Sequence, residues 1–219
     1  MEVLVKLHRS NTIRIMRKHI ILSLSFLALI LAGFTYSASQ STEDWQNGDI
    51  VFQDSKSSQS KAIKLATKSN YSHCGIVFQD EVSEKWMVLE AVQPVQIIPI
   101  DRWIARGTDS KYSVKRLKDV GKIDAETLAK MNTVGKSFVG KNYDILFGWG
   151  DDKLYCSELV WKIYKRGAGV EVGSLKPLKD YNLNDPIVRE TLEKRYGSKI
   201  PLNDKMISPQ DIFESDLLE

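Results

Sequence analysis

Four short apolar runs follow one another closely in the middle of the chain: HCGIVFQ (73–79), KWMVLEA (85–91), VQIIPI (95–100) and YSVKRL (112–117). They are rich in β-branched and aromatic residues and are separated by polar or Gly/Pro-bearing turns, so each reads as a strand. DIVFQ (49–53) is a further strand, announced by the Asn-Gly turn signal before it. Helical segments surround this block. SSQSKAIKLATKS (57–69) has serine caps and a modest apolar face of Ile63, Leu65 and Ala66. Asp124 can cap AETLAKMNTVGKSFVG, and YCSELVWKIYKRG (155–167) places Leu159, Val160, Ile163 and Tyr164 on one side. Two more helices are expected at 184–196 and, opening with Ser-Pro, at 208–216. Helix, then sheet, then helices indicates an α+β fold with an antiparallel sheet.

The first forty residues are of another kind. Lys6, Arg9, Arg14, Arg17 and Lys18 precede the apolar run IILSLSFLALILAGF (20–34), and TYSASQSTED follows. A basic n-region, an apolar stretch and a small-residue site (SAS or YSA) before residue 40 are the layout of a secretory signal. Met16 opens a more compact version of it. The competing reading is an uncleaved membrane anchor, although the run falls short of the ~20 residues that comfortably span a bilayer. The organisation expected is therefore residues 1–39 as signal peptide or anchor and 40–219 as one domain, exported to a periplasm or beyond.

Charge must be read on that domain. Five of the 31 Lys and Arg, and one of the 28 Asp and Glu, lie in 1–39, so the formal charge of +3 becomes −1 for residues 40–219. The apparent basicity belongs to the leader and gives no support to a nucleic-acid partner. Histidine and cysteine restrict the chemistry further. Of three histidines, His8 and His19 precede residue 40, which leaves His73 alone to the domain. A His-rich zinc site cannot be built from it. The chain's two cysteines, Cys74 and Cys156, permit one disulfide and two Cys–His pairings.

Cys156 stands where a loop runs into an amphipathic helix. Unpaired N–H groups and the positive dipole end stabilise a thiolate there, and the same N–H groups can form an oxyanion hole. By position alone it reads equally as an inert buried thiol. His73, at the mouth of a strand, can project from the sheet edge toward a helix end, or be a half-exposed surface histidine. Cys74 is the rival nucleophile; adjacent strand residues point to opposite faces, so it reads as a small core hydrophobe behind the sheet. Glu90 ends the run WMVL and can accept the second imidazole N–H, fixing its tautomer; otherwise it is the polar end of a strand. Glu90 shares a face with Val88 and Trp86, and the pattern leaves open which face is interior. Asp49 reads as a strand cap or a partner in the site. Tyr143, Tyr155 and Tyr71 are structural residues or hydroxyl donors to an oxyanion.

Taken together, GDIVFQ (48–53), SSQSKAIKLAT (57–67), YSHCGIV (71–77), LEAVQPV (89–95), RWIARG (102–107), YDILFGWGDDKLYCSELVWKIY (143–164) and the terminal SPQDIF resemble the permuted papain-like amidases of the YaeF/YiiX type, relatives of the NlpC-type cell-wall peptidases. The resemblance implies a sheet or barrel of about six antiparallel strands with the Cys helix packed on it, and a His strand that precedes the Cys helix, the reverse of papain. It implies Cys156 as nucleophile, His73 as general base and acid, and Glu90 as the group that orients His73, with Cys74 as packing. No metal or organic cofactor is called for. The substrate is expected to be a cell-wall peptide amide. The alternatives are a lipid-derived acyl group, as in acyltransferases resembling lecithin:retinol acyltransferase, and a binding module without catalysis. An apolar groove beside Cys156 would favour lipid, and a polar cleft peptide. Trp86, Trp103, Trp149 and Trp161 can line either, with core packing as their ordinary role.

Overall fold

The computed structural model describes residues 44–219; the leader expected at 1–39 lies outside the described residues. Five strands form one antiparallel sheet: β1 (Ile50–Gln53), β2 (His73–Gln79), β3 (Trp86–Glu90), β4 (Gln96–Pro99) and β5 (Ser113–Lys115), in the order β4-β3-β2-β1-β5. The sheet thus has five strands where the resemblance suggested about six. Helices α1 (Ser60–Thr67), α2 (Ile100–Arg106), α3 (Ala125–Lys136), α4 (Cys156–Ile163), α5 (Pro186–Tyr196) and α6 (Pro209–Phe213) complete the α+β architecture. Two-residue strands pair at Asn142–Tyr143 with Lys153–Leu154, and at Lys176–Pro177 with Lys205–Met206. Among the described residues no helix is long and apolar enough to cross a membrane.

The strands are apolar on both faces because both are covered. Ile50, Phe52, Cys74, Ile76 and Leu89 face the main core with Leu159, Val160 and Ile163 of α4. Val51, Val77 and Val88 face a smaller cluster closed by Trp45 and by Trp103 of α2. Helix α2 was not anticipated as a helix. Its apolar residues Ile100, Trp103 and Ile104 do have helical spacing, but the apolar run VQIIPI continues the strand pattern through Ile100 and hides where the helix begins.

Helix ends are set by local chemistry. Asp124 accepts from Thr127 N–H at 2.8 Å, and Ser208 accepts from Asp211 N–H at 3.2 Å while the Asp211 carboxylate takes Ser208 N–H at 2.7 Å. A polar knot ties the strands that carry the site to α1. Ser60 Oγ lies 2.6 Å from Asp54 Oδ1 and 2.8 Å from Ser72 Oγ, and Lys64 Nζ pairs with Asp54 at 2.6 Å. The start of β2 is thereby held beside α1, immediately before His73.

Candidate active site

Side-chain alternation and one glycine bring His73 to Glu90. His73, Gly75 and Val77 share the Trp103 face of β2, and the His73 ring stacks on Trp103 with centroids 6.1 Å apart. Ile76 pairs with Leu89, so Gly75 falls opposite Glu90. A Cβ at Gly75 would stand 2.5 Å from Val88 Cγ1 and 3.5 Å from Glu90 Cβ; only glycine leaves the space. His73 Nε2 then meets Glu90 Oε2 at 2.7 Å. The other carboxylate oxygen accepts from Gln96 Nε2 at 2.8 Å and from the Arg106 guanidinium. Glu90 is fully buried. Burial alone would raise its pKa; the bonds and charge from His73, with those from Arg106 and Gln96, win and lower it to about 2.

Cys156 is the first residue of α4, with Tyr155 as the residue that begins the turn. It packs on the opposite face of the sheet from His73, with Cys74. His73, as the first residue of its strand, reaches round the sheet end to Cys156. Its Nε2 is taken by Glu90, which leaves Nδ1 for the sulfur. Cys74 and His73 are the neighbours that act on the Cys156 thiol. Bonding from Cys74 is the largest influence and, with His73, overcomes burial to hold the thiol well below its ordinary value. Burial would depress His73, yet Cys156 and Glu90 together raise it to about 9. The pair is thus arranged as thiolate and imidazolium.

Cys74 therefore does not lie behind the sheet from the nucleophile. It does point away from His73, as alternation requires, but the Cys helix covers the Cys74 face. A sequence shows the parity of strand residues and not which face a distant helix occupies. Burial and the Cys156 contact push the Cys74 thiol well up, so it stays protonated.

The remaining candidates separate clearly. Tyr143 belongs to the site: its hydroxyl accepts from Gln59 Nε2 at 2.9 Å, and its ring lines the cavities on both sides of the Cys156–His73 pair. Tyr155 lines the cavity at Cys156, but its hydroxyl is occupied in accepting from Ile207 N–H at 3.2 Å. Asp49 is not in the site. It precedes β1, whose register puts Ile50 opposite Ile76 and Gln53 opposite His73, so Asp49 stands at the far end of the sheet. There it takes a two-point bond from Arg116 at 2.7 and 2.8 Å. Tyr71 is structural, its hydroxyl 2.7 Å from Ser113 Oγ and its ring tilted on Phe213. None of the four tryptophans lines either cavity: Trp103 supports His73, and Trp149 packs edge-on to Trp161.

Sequence reasoning missed Gln96, Gln53 and the part played by Arg106. Gln53 is buried opposite His73 and lines the adjoining cleft. Its place follows from strand register, for which the sequence carries no separate signal. A buried pair also escaped notice, Lys162 with Glu158 at 2.7 Å; Lys162 reaches on to Asp151 at 2.8 Å, tying the 144–152 loop to the Cys helix.

Two spaces meet at the pair. One is apolar and lies between α1 and α5; Cys156, Ile63, Phe147, Val188, Leu192 and Arg195 line it. The other is a broader, open cleft whose walls combine His73, Gln53, Lys56 and Arg106 with Ala91, Val92 and Ile145. Among the described residues no group of three or more His, Cys, Asp or Glu is placed to hold a metal ion.

Glu90 makes a test of the buried bonds. Its carboxylate is stabilised in the fold relative to the unfolded chain, where its value is 4.5 against about 2 folded. That stability is fully present above pH 4.5 and is lost as pH falls through 4.5 toward 2. Glu90→Gln should flatten this acid limb in urea titrations by an amount on the order of a few kcal/mol; an unchanged limb would show that Glu90 titrates as in the unfolded chain.

A sheet that presents a histidine–carboxylate pair to a cysteine at a helix start defines a papain-like architecture, here with the histidine strand ahead of the cysteine helix. Residues 44–219 match the model of the permuted papain-like amidase enzymes, YaeF/YiiX, C92 family, and the chain belongs to that family. It is 45% identical over 170 residues to the uncharacterised protein YiiX of Escherichia coli strain K12, a match spanning 78% of this chain and 82% of YiiX. The crystal structure of YiiX from Escherichia coli O157:H7, described there as a metalloprotein, superposes with a TM-score of 0.75 at 45% identity. That superposition covers 80% of this chain and 94% of the other.

Proposed function

We propose that the protein is a thiol hydrolase in which Cys156 attacks an amide carbonyl, His73 moves the proton and Glu90 holds His73. The observation that carries this is the 2.7 Å bond from His73 Nε2 to Glu90, which leaves Nδ1 for a buried thiol of depressed pKa. The Cys156 thiolate adds to the carbonyl carbon, and N–H groups at the start of α4 receive the oxyanion. As the C–N bond breaks, His73 gives its proton to the leaving amine, and a thioester remains on Cys156. His73 then takes a proton from water, whose oxygen attacks the thioester; the acid departs, and the Cys156 thiolate and His73 imidazolium are restored.

His73 lies on the open cleft, which carries charged and amide side chains among apolar ones, and Cys156 on the apolar cavity. The amine product therefore leaves through a cleft walled by Lys56, Arg106 and glutamines, which suits the polar, carboxylate-bearing groups of a cell-wall peptide. The apolar cavity supports a second reading, in which the acyl group is a lipid chain. With residues 1–39 as an export signal, either substrate would be met in the cell envelope; N-terminal sequencing of the exported protein tests that signal.

Purified protein incubated with muropeptides and, separately, with phospholipid vesicles distinguishes the readings. Amine release from muropeptides alone is the expected result. Release of fatty acid from the vesicles alone would replace the peptide reading with the lipid one. Turnover of neither would leave a binding module.

A further inference from the structure

The second cysteine is not used by the hydrolytic mechanism, yet it touches the nucleophile. Cys74, Ile76 and Phe78 point to the face of β2 that α4 covers, and Cys156 is the first residue of α4. Both residues belong to the core cluster on that face, and Cys74 is the largest influence on the Cys156 thiol. Both thiols are free. The chain has two cysteines in all, so any internal disulfide is this one.

Exposure divides the pair into two roles. Cys156 opens on the apolar cavity and must admit a substrate, so a small oxidant reaches it too. Cys74 is fully buried and lines neither space. A thiolate that meets peroxide becomes a sulfenic acid, and without a neighbouring thiol it goes on to the irreversible sulfinic acid.

We propose that Cys74 is a resolving thiol for Cys156, which makes the pair a reversible oxidation site that converts peroxide damage at the nucleophile into a Cys74–Cys156 disulfide. The Cys156 thiolate attacks one oxygen of a hydroperoxide, and the O–O bond breaks. Cys156 is left as S–OH, while the released alkoxide or hydroxide takes the proton of His73. The Cys74 sulfur then attacks the Cys156 sulfur, and the S–O bond breaks. The Cys74 proton leaves with the hydroxide as water. Two thiols have been oxidised by two electrons, and the peroxide reduced by the same two. The disulfide occupies the nucleophile, so the protein is silent until a dithiol reductant restores both thiols.

The proposal rests on Cys156 being a reactive thiolate, and its test reads labelling, not turnover. The reduced full-length protein is treated with excess hydrogen peroxide, and peptides are mapped by mass spectrometry. The unmutated chain should yield a linked peptide joining residues 74 and 156. Labelling of Cys156 by iodoacetamide should be lost and then return with dithiothreitol. In Cys74→Val the linked peptide is absent, Cys156 gains two oxygens, and dithiothreitol restores no labelling; Cys74→Ser serves should the valine variant not fold. A missing linked peptide in the unmutated chain, or equal recovery in the variants, overturns the proposal. Failure of Cys156 to label in the reduced protein instead overturns the nucleophile assignment.

Discussion

Cys156→Ala should abolish amide turnover and all covalent labelling by an acyl probe, with a loss on the order of 10⁴–10⁶ in rate. No second group can replace it. Cys74 is the other thiol, but it is fully buried, and burial with the Cys156 contact holds it protonated. It also points to the face opposite His73, so it has no base. The core should survive, because the change removes one sulfur atom beside an open cavity while Leu159, Val160 and Ile163 keep α4 on the sheet. Intact-mass measurement after probe treatment decides the matter. An adduct on Cys156→Ala together with none on Cys74→Ala would move the nucleophile to Cys74 and overturn the mechanism.

The second large effect concerns pH. His73 is raised to about 9 and Cys156 lies well below 9.0, so the two remain an ion pair across neutral pH. Alkylation of Cys156 by iodoacetamide should accordingly be flat through neutrality and fall only when acid protonates the thiolate. In His73→Ala one of the influences that lower the thiol is gone and the burial that raises it remains. The alkylation profile should shift toward higher pH, with a loss of ~10-fold or more at pH 7 that shrinks as the thiol ionises unaided. Turnover of the unmutated protein should fall as pH rises through about 9, where His73 loses the proton it gives to the leaving amine. Superposable alkylation profiles for the two proteins would show that His73 does not set the state of Cys156. Glu90→Gln should move the profile in the same direction and by less, because the imidazole stays in place and loses only its charged partner.

Much of this architecture is written in local pattern. The five strands coincide with the β-branched runs to within a residue or two, since alternation and turn residues act over short distances. Asp124 and Ser208 cap the helices they precede for the same reason. Helix α2 escaped because the apolar run VQIIPI continues through Ile100, the first residue of that helix. The site was legible in part. A domain with a single histidine limits the pairings, the helix start marks Cys156, and Glu90 is legible as a carboxylate for the histidine; the resemblance assigned the three their roles.

Residue type and spacing alone thus determined the fold class, the parity that sends His73 and Cys74 to opposite faces, and the scarcity that leaves one base for one nucleophile. Only the tertiary structure decided which face the Cys helix covers, and it covers the face of Cys74. It also decided that Gly75 leaves room for His73 to meet Glu90, that Arg106 and Gln96 hold that carboxylate, and that Asp49 belongs to the far end of the sheet. These are relations between segments distant in sequence, fixed by which surfaces bury together. Parity is a property of one strand; proximity is a property of the packed whole.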